Sequence, residues 1–253
     1  MITSRTNAQV KYVRRLQTER RFRHDEGAFV VEGTRWLREL AQNGLTPRAL
    51  YATPAWGESA EGLELAATFN ADVTLVDEPV MAAMSDTESA PGVLAVLPIA
   101  PRPLPAQPTL LLIIDALNNP GNLGTILRTA AAAGADGVLL GPDNVDPYNP
   151  KTIRGSMGAI VRLPILATNW EVIHRLVSGM AVWLAVAQDG TAYSDVDWRV
   201  PSAILIGSEP FGAGVQAERL ATGPVTIPMR DATESLNAAV AAGILLFEAA
   251  RQR

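Results

Sequence analysis

Three segments in the second half of the chain place polar side chains beside glycines at the ends of apolar runs. In the first, DALNNPGNLGTILRTAAAAGADGVLL, an apolar strand ends at Asp115 and a helix opens near Gly121. A polar turn between a strand and a helix is where α/β proteins hold ligands, because free amides and the carboxyl edge of the sheet meet there. Arg128 follows Gly121 by seven residues, Gly124 by four and Thr125 by three, so at helical spacing the four share one face. Helical side chains lean toward the N-terminus, and a guanidinium at 128 would pass over a strip of little bulk toward Asn122. The third glycine of a dinucleotide fingerprint is missing and no phosphate-loop lysine follows, which disfavours a nucleotide-phosphate enzyme.

The second segment, AILIGSEPFGAG (203–214), is a buried strand running into a glycine-rich turn, with Glu209 where carboxylate and exposed backbone meet. The third is VTIPMRDATESLNAAVAAGILLFEAARQR. Ser235 is placed to cap its helix, and Leu236, Val240, Gly243, Ile244 and Phe247 are the expected buried stripe. Asn237 then falls in the first turn, where it would do nothing for the helix. The run of alanines with Gly243 allows other backbone to approach closely, in a tight core or a subunit contact. Taken singly, each segment also has an ordinary reading: a surface arginine, a solvated acid in a turn, a capping serine.

The elements that must position these residues are legible in the pattern of apolar runs. TLLLIID, GVLLG, AVWLAVA, AILIGSE and VTIPM alternate with helices, and short continuous apolar strands covered on both sides describe a parallel sheet. Ahead of them the proline-rich PIAPRPLPAQP reads as a semi-rigid linker. Before it, AFVVEG, RALYAT, VTLVD and GVLAVLP alternate with TRWLRELAQNG, EGLELAATFN and EPVMAAMSD, a small α/β domain. The expected division is 1–98, a linker at 99–108, and 109–253.

Composition narrows the chemistry. The absence of cysteine excludes disulfides, thiolate metal sites and a cysteine nucleophile, and with only His24 and His174 a metal cluster is not expected. The N-terminal MITSRTNAQVKYVRR is charged and lacks the apolar core of a secretory signal, while runs such as AVWLAVA are too short to span a bilayer. A cytoplasmic protein with no membrane partner is expected. The net charge of −5 argues against a nucleic-acid partner until it is resolved along the chain. Residues 1–48 carry ten basic and five acidic side chains, so the negative charge lies in the remainder. Lys11, Arg14, Arg15, Arg21 and Arg23, with Arg20, form a cluster dense enough to be an electrostatic footprint for RNA, although a solvated helix face has the same composition.

In order and spacing, NPGNLGTILRTA, IGSE followed by glycines, and IPM with a short loop and SLN resemble the three signature motifs of the SpoU (TrmH) family of RNA ribose 2′-O-methyltransferases, in the SPOUT group. NPKTIRGSMGA (149–159) is similar to the family's connector, and residues 1–95 resemble, more loosely, the ribosomal-protein-like RNA substrate-binding domain of many members. The second motif departs from the pattern: the usual glycine after the glutamate is replaced by Pro210 and Phe211, which removes a backbone donor. The resemblance implies a C-terminal SPOUT-type α/β trefoil-knot domain, S-adenosylmethionine as cofactor, RNA as substrate and a homodimer. Carried over by position, Gly207, Ile227, Met229 and Leu236 would hold the cofactor, and Asn122, Arg128, Glu209, Ser235 and Asn237 would form the polar catalytic set. Ribosomal RNA is expected ahead of transfer RNA because of the extra N-terminal domain. A non-catalytic RNA-binding or ribosome-assembly factor on the same fold is the rival reading.

Overall fold

The computed structural model describes residues 1–208, 212–230 and 234–253. Two compact units divide the chain: Met1–Ala100 with Tyr148–Ile153, and Pro101–Pro147 with Arg154–Arg253.

The first unit runs α1 (Ala8–Thr18), α2 (Arg20–Glu26), β1 (Ala28–Glu32), α3 (Thr34–Gln42), β2 (Ala49–Ala52), α4 (Pro54–Gly57), α5 (Ala60–Phe69), β3 (Val73–Leu75), α6 (Glu78–Met84) and β4 (Val93–Pro98). Its four strands lie in the order β1-β4-β2-β3, antiparallel at β1/β4 and β2/β4 and parallel at β2/β3. Apolar residues of α1 at helical spacing, Val10, Val13 and Leu16, pack with Met81 and Met84 of α6 and with Val30, Leu94 and Val96 of the sheet. That leaves Lys11, Arg14 and Arg15 on the exposed side of α1. Asn7 caps the helix by accepting the Gln9 N–H at 2.8 Å.

The second unit holds β5 (Leu110–Ile114), α7 (Pro120–Ala132), β6 (Gly137–Leu140), α8 (Pro150–Ser156, whose first residues belong to the first unit), α9 (Ala159–Arg162), β7 (Ile165–Ala167), α10 (Trp170–Leu176), β8 (Ala181–Val186), β9 (Thr191–Ala192), β10 (Ser202–Ile206), α11 (Val215–Leu220), β11 (Gly223–Thr226) and α12 (Ala238–Gln252). The strand order is β7-β6-β5-β10-β8-β11-β9 and every paired strand is parallel. β5 and β10 are buried along their whole length, as central strands covered on both faces must be. The expected parallel sheet is present with two strands more than the apolar runs announce, β7 and β9, each too short to stand out as a run. Residues 99–108 contain no regular element, yet Leu104 packs onto the core of the second unit.

Because all strands are parallel, the turns that follow β5, β8, β10 and β11 emerge on one edge of the sheet. The three chemically suggestive segments are three of those turns.

Candidate active site

The turn after β5 is held rigidly. Asp115 extends the β5/β10 ladder by donating its N–H to Ile206 O at 2.9 Å. Ala116 takes a left-handed conformation, φ 53°, which turns the chain out of the sheet plane. Asn144, buried, braces the turn: its Oδ1 accepts from Leu117 N at 2.8 Å and its Nδ2 donates to Ile114 O and Gly141 O at 2.9 and 2.8 Å. Asn119 caps α7, accepting from Gly121 N at 2.8 Å and Asn122 N at 3.2 Å, with Pro120 in the first turn.

Gly124 is buried, because a Cβ on Gly155 of α8 would stand 3.2 Å from the Gly124 Cα. The strip of little bulk near Arg128 is therefore partly covered by a neighbouring helix, and Gly124 serves close backbone approach. Arg128 is exposed, and among the described residues it forms no hydrogen bond or ion pair and lines neither cavity described below.

The turn after β10 folds back on itself. Ser208 and Gly212 exchange backbone hydrogen bonds at 2.9 and 3.0 Å, and a Cβ on Gly207 would come within 2.6 Å of the Gly212 carbonyl carbon. Gly207 is thus required for contact of the loop with itself. Glu209, with Pro210 and Phe211, lies outside the described residues.

The third segment corrects the sequence reading. The cap of α12 is Asn237: its Oδ1 accepts from Ala239 N at 2.9 Å and Val240 N at 3.4 Å, and the helix begins at Ala238. Ser235 is exposed two residues earlier and is not the cap. The expected buried stripe is also displaced. Ala238, Ala239, Ala242, Leu245, Leu246 and Ala249 are the buried residues, whereas Val240 and Phe247 are 50% and 53% exposed. The helix has two apolar faces, and the protomer covers the small-residue one, where α7 and the sheet can approach.

The turns after β8, β10 and β11 enclose a cavity of about 640 Å³, which among the described residues takes no lining residue from the turn after β5. Gly207, Ile227, Met229, Ser235, Leu236 and Asn237 all line it, with Ala185, Val186 and Ala187. The volume falls in the range of small-molecule sites, and the lining is mostly apolar with a few polar groups from Ser208, Glu218, Ser235 and Asn237. Asn237 Nδ2 donates to Asn122 Oδ1 at 3.2 Å, joining the first and third segments. Beyond this pair, an apolar groove between α7 and α12 is lined by Thr125, Val240, Gly243, Ile244 and Phe247.

Sequence reasoning missed Asp115, Asn144, Gly155 and Glu218. An acid directly after an apolar strand was a usable signal for Asp115. Asn144 lies in an ordinary polar turn, and nothing local distinguishes it.

In the first unit the basic cluster divides. Lys11, Arg14, Arg15 and Arg21 are exposed, Arg15 bridging to Glu19 at 3.0 Å and stacking its guanidinium 3.8 Å from the Phe22 ring centroid. Arg21 stands 3.6 Å from Asp25. Arg23 faces inward, 3% exposed, and donates to Leu16 O at 2.8 Å and Gln17 O at 3.2 Å, satisfying carbonyls at the end of α1. It does not share the exposed basic face.

Among the described residues no group of three or more His, Asp or Glu could hold a metal ion, and no helix is long and apolar enough to cross a membrane.

An all-parallel α/β sheet with a cavity among the turns at its carboxyl edge is the SPOUT-type methyltransferase fold expected from the motifs. Residues 109–247 match the SpoU rRNA methylase family and residues 7–95 match the MRM3-like substrate binding domain. The chain belongs to the SpoU rRNA methylase family. It is 31% identical to the 23S rRNA (guanosine(2553)-2′-O)-methyltransferase RlmP of Bacillus subtilis, over 97% of each chain. Among solved structures it resembles an AdoMet-bound rRNA methyltransferase from Sinorhizobium meliloti, with a TM-score of 0.89 at 30% identity over 99% of this chain and 97% of that one. It also resembles the SpoU methyltransferase AviRb from Streptomyces viridochromogenes in complex with AdoMet, with a TM-score of 0.88 at 28% identity over 97% and 98%.

Proposed function

We propose that this protein methylates a ribose 2′-hydroxyl of ribosomal RNA, with S-adenosylmethionine as the methyl donor. The observation that carries this reading is the convergence of Gly207, Ile227, Met229, Ser235, Leu236 and Asn237, from separate turns, around one cavity whose Asn237 bonds to Asn122. The donor set fits the cofactor: apolar walls suit the adenine, and Ser208, Ser235 and Asn237 offer polar groups at the rim.

S-adenosylmethionine supplies, when bound, an electrophilic sulfonium methyl for displacement by the ribose oxygen. The chain's task is to align that oxygen, lower the cost of the developing alkoxide and direct its proton away. The Arg128 guanidinium stabilises the alkoxide and grips an adjacent phosphate, which helps to take the proton. Asn122, Ser235 and Asn237 orient the hydroxyl.

Residues 1–98 serve as the RNA-binding domain and 109–253 as the methyltransferase domain, joined by 99–108. The exposed face of Lys11, Arg14, Arg15 and Arg21 supplies phosphate contacts. The chain works as a homodimer. The apolar groove of α7 and α12, with Val240 and Phe247 half exposed, supports a partner protomer there, and Thr125, one turn before Arg128, opens on the same groove. A cytoplasmic location is part of the same reading.

Ribose-methylation mapping of total RNA from cells with and without the gene tests the reading. One ribosomal nucleotide should lose its 2′-O-methyl group. A lost mark in transfer RNA would move the substrate class, and an unchanged map, with no calorimetric binding of S-adenosylmethionine, would leave a non-catalytic RNA-binding factor.

A further inference from the structure

We infer that Asp115 is a positioning residue for this reaction, tethering the cavity-lining turn after β10 to the turn that carries Asn122. The inference rests on the methyltransferase reading above and adds a residue that the motifs do not supply.

Asp115 is 6% exposed and stands at the last position of the β5/β10 ladder. Its Oδ2 accepts the Gly214 N–H at 2.7 Å, a contact across 99 residues of sequence. Gly214 is the residue immediately before α11, and a Cβ there would lie 3.3 Å from the same oxygen, so the backbone comes close to the carboxylate. The other end of the turn is secured by the Ser208–Gly212 bridge. Gly207, Ser208, Gly212 and Ala213 face the cavity, while Asp115 is not among its lining residues. The carboxylate therefore holds that wall from behind, and α11, which turns Glu218 toward the cavity, starts from the anchored amide.

Burying a carboxylate is costly, and among the described residues no lysine, arginine or histidine pairs with Asp115. A residue needed only for volume would be apolar. What an acid provides here is a charge-assisted acceptor, roughly twice as strong as a neutral one, for a backbone amide that has left the sheet. One residue later Ala116 makes its left-handed turn toward α7, so displacing Asp115 moves both loops together.

Asp115→Ala and Asp115→Asn test this in the full-length chain by two measurements. The first is hydrogen exchange of the Gly214–Leu220 amides without ligand. The second is calorimetric affinity for S-adenosylmethionine, with KM and kcat. In Asp115→Ala these amides should exchange faster while those of the first unit are unchanged. Cofactor affinity should fall about ten- to a hundredfold, the effect of losing one hydrogen bond to a charged group. The loss should appear in the cofactor KM, with kcat changed less than about threefold. Asp115→Asn, which keeps a carbonyl acceptor, should fall between wild type and alanine. It supplies the same readouts if the alanine variant does not fold. A merely structural role would lower the melting temperature without moving affinity in the folded variant. Unchanged exchange and affinity in the folded variants would overturn the inference. Faster exchange in a chain whose wild type binds no cofactor would sustain the tether and remove the methyltransferase reading instead.

Discussion

Asn237 caps α12 with its Oδ1 while its Nδ2 donates to Asn122 Oδ1, 115 residues earlier, at 3.2 Å. One carboxamide thus starts a helix and joins two of the three motifs, and substitution can separate the two tasks. Asn237→Ala should cost about 1 kcal/mol through the lost cap, roughly 2–4 °C in melting temperature for a chain of this size. Asn237→Asp keeps the cap acceptor but no longer donates to Asn122. It should melt like the wild type and still lose turnover. Equal melting losses in both variants would show that the cap is not what Asn237 contributes.

Arg128 is exposed and uncommitted within the described protomer, as a group kept for substrate would be. Arg128→Ala should lower turnover by about 10²–10³-fold, the usual scale for one oxyanion-stabilising donor, with cofactor affinity unchanged. Arg128→Lys should restore little, because a lysine lacks the planar fork. Near-normal turnover in the alanine variant would remove Arg128 from the chemistry.

Gly207 has no room for a side chain, since its Cβ would meet the Gly212 carbonyl carbon at 2.6 Å. Gly207→Ala must open the turn that walls the cavity, and calorimetry should show cofactor binding weakened by about tenfold or more, in line with the 1–3 kcal/mol typical of overpacking. The first unit should keep its hydrogen-exchange protection.

Phe247 and Val240 expose apolar surface along the α7/α12 groove. At micromolar concentration sedimentation should give a species near twice the chain mass of 26.9 kDa, and Phe247→Glu should shift it to the monomer. A wild-type monomer under those conditions would contradict the dimer.

Glu248 is held by Arg251 first and by Gln252 second, and its carboxyl lies at about 2, below the usual 4.5. A depressed folded-state value means that the stabilisation is complete above pH 4.5 and is lost as pH falls toward 2. Glu248→Gln should therefore lower stability at neutral pH and flatten the acid limb between those values, followed by chemical denaturation across pH. Gln252 also accepts from Trp198 N and donates to Val196 O, so local loosening of residues 196–198 should accompany the change.

The amino-acid sequence by itself determined the parallel sheet. Uninterrupted apolar strands with helices between them leave few alternatives, and glycine-rich turns can only sit at strand ends. It also named Gly207, Ile227, Met229, Leu236 and Asn237, which line one cavity, because motif order survives without knowledge of distance. Tertiary structure decided what each residue does. Arg23 looks like its exposed basic neighbours and is turned inward by the end of α1. Asn237 proved to be the cap that Ser235 was expected to be, because α12 begins two residues later than a cap at Ser235 requires. The α12 stripe of Val240 and Phe247 reads as core by spacing, yet a helix with two apolar faces does not declare which one its own protomer covers. Asp115 and Gly214, 99 residues apart, carry no shared local signal. Their contact exists only because β5 and β10 are neighbours in the sheet, and strand order is fixed by packing, not by any window of sequence.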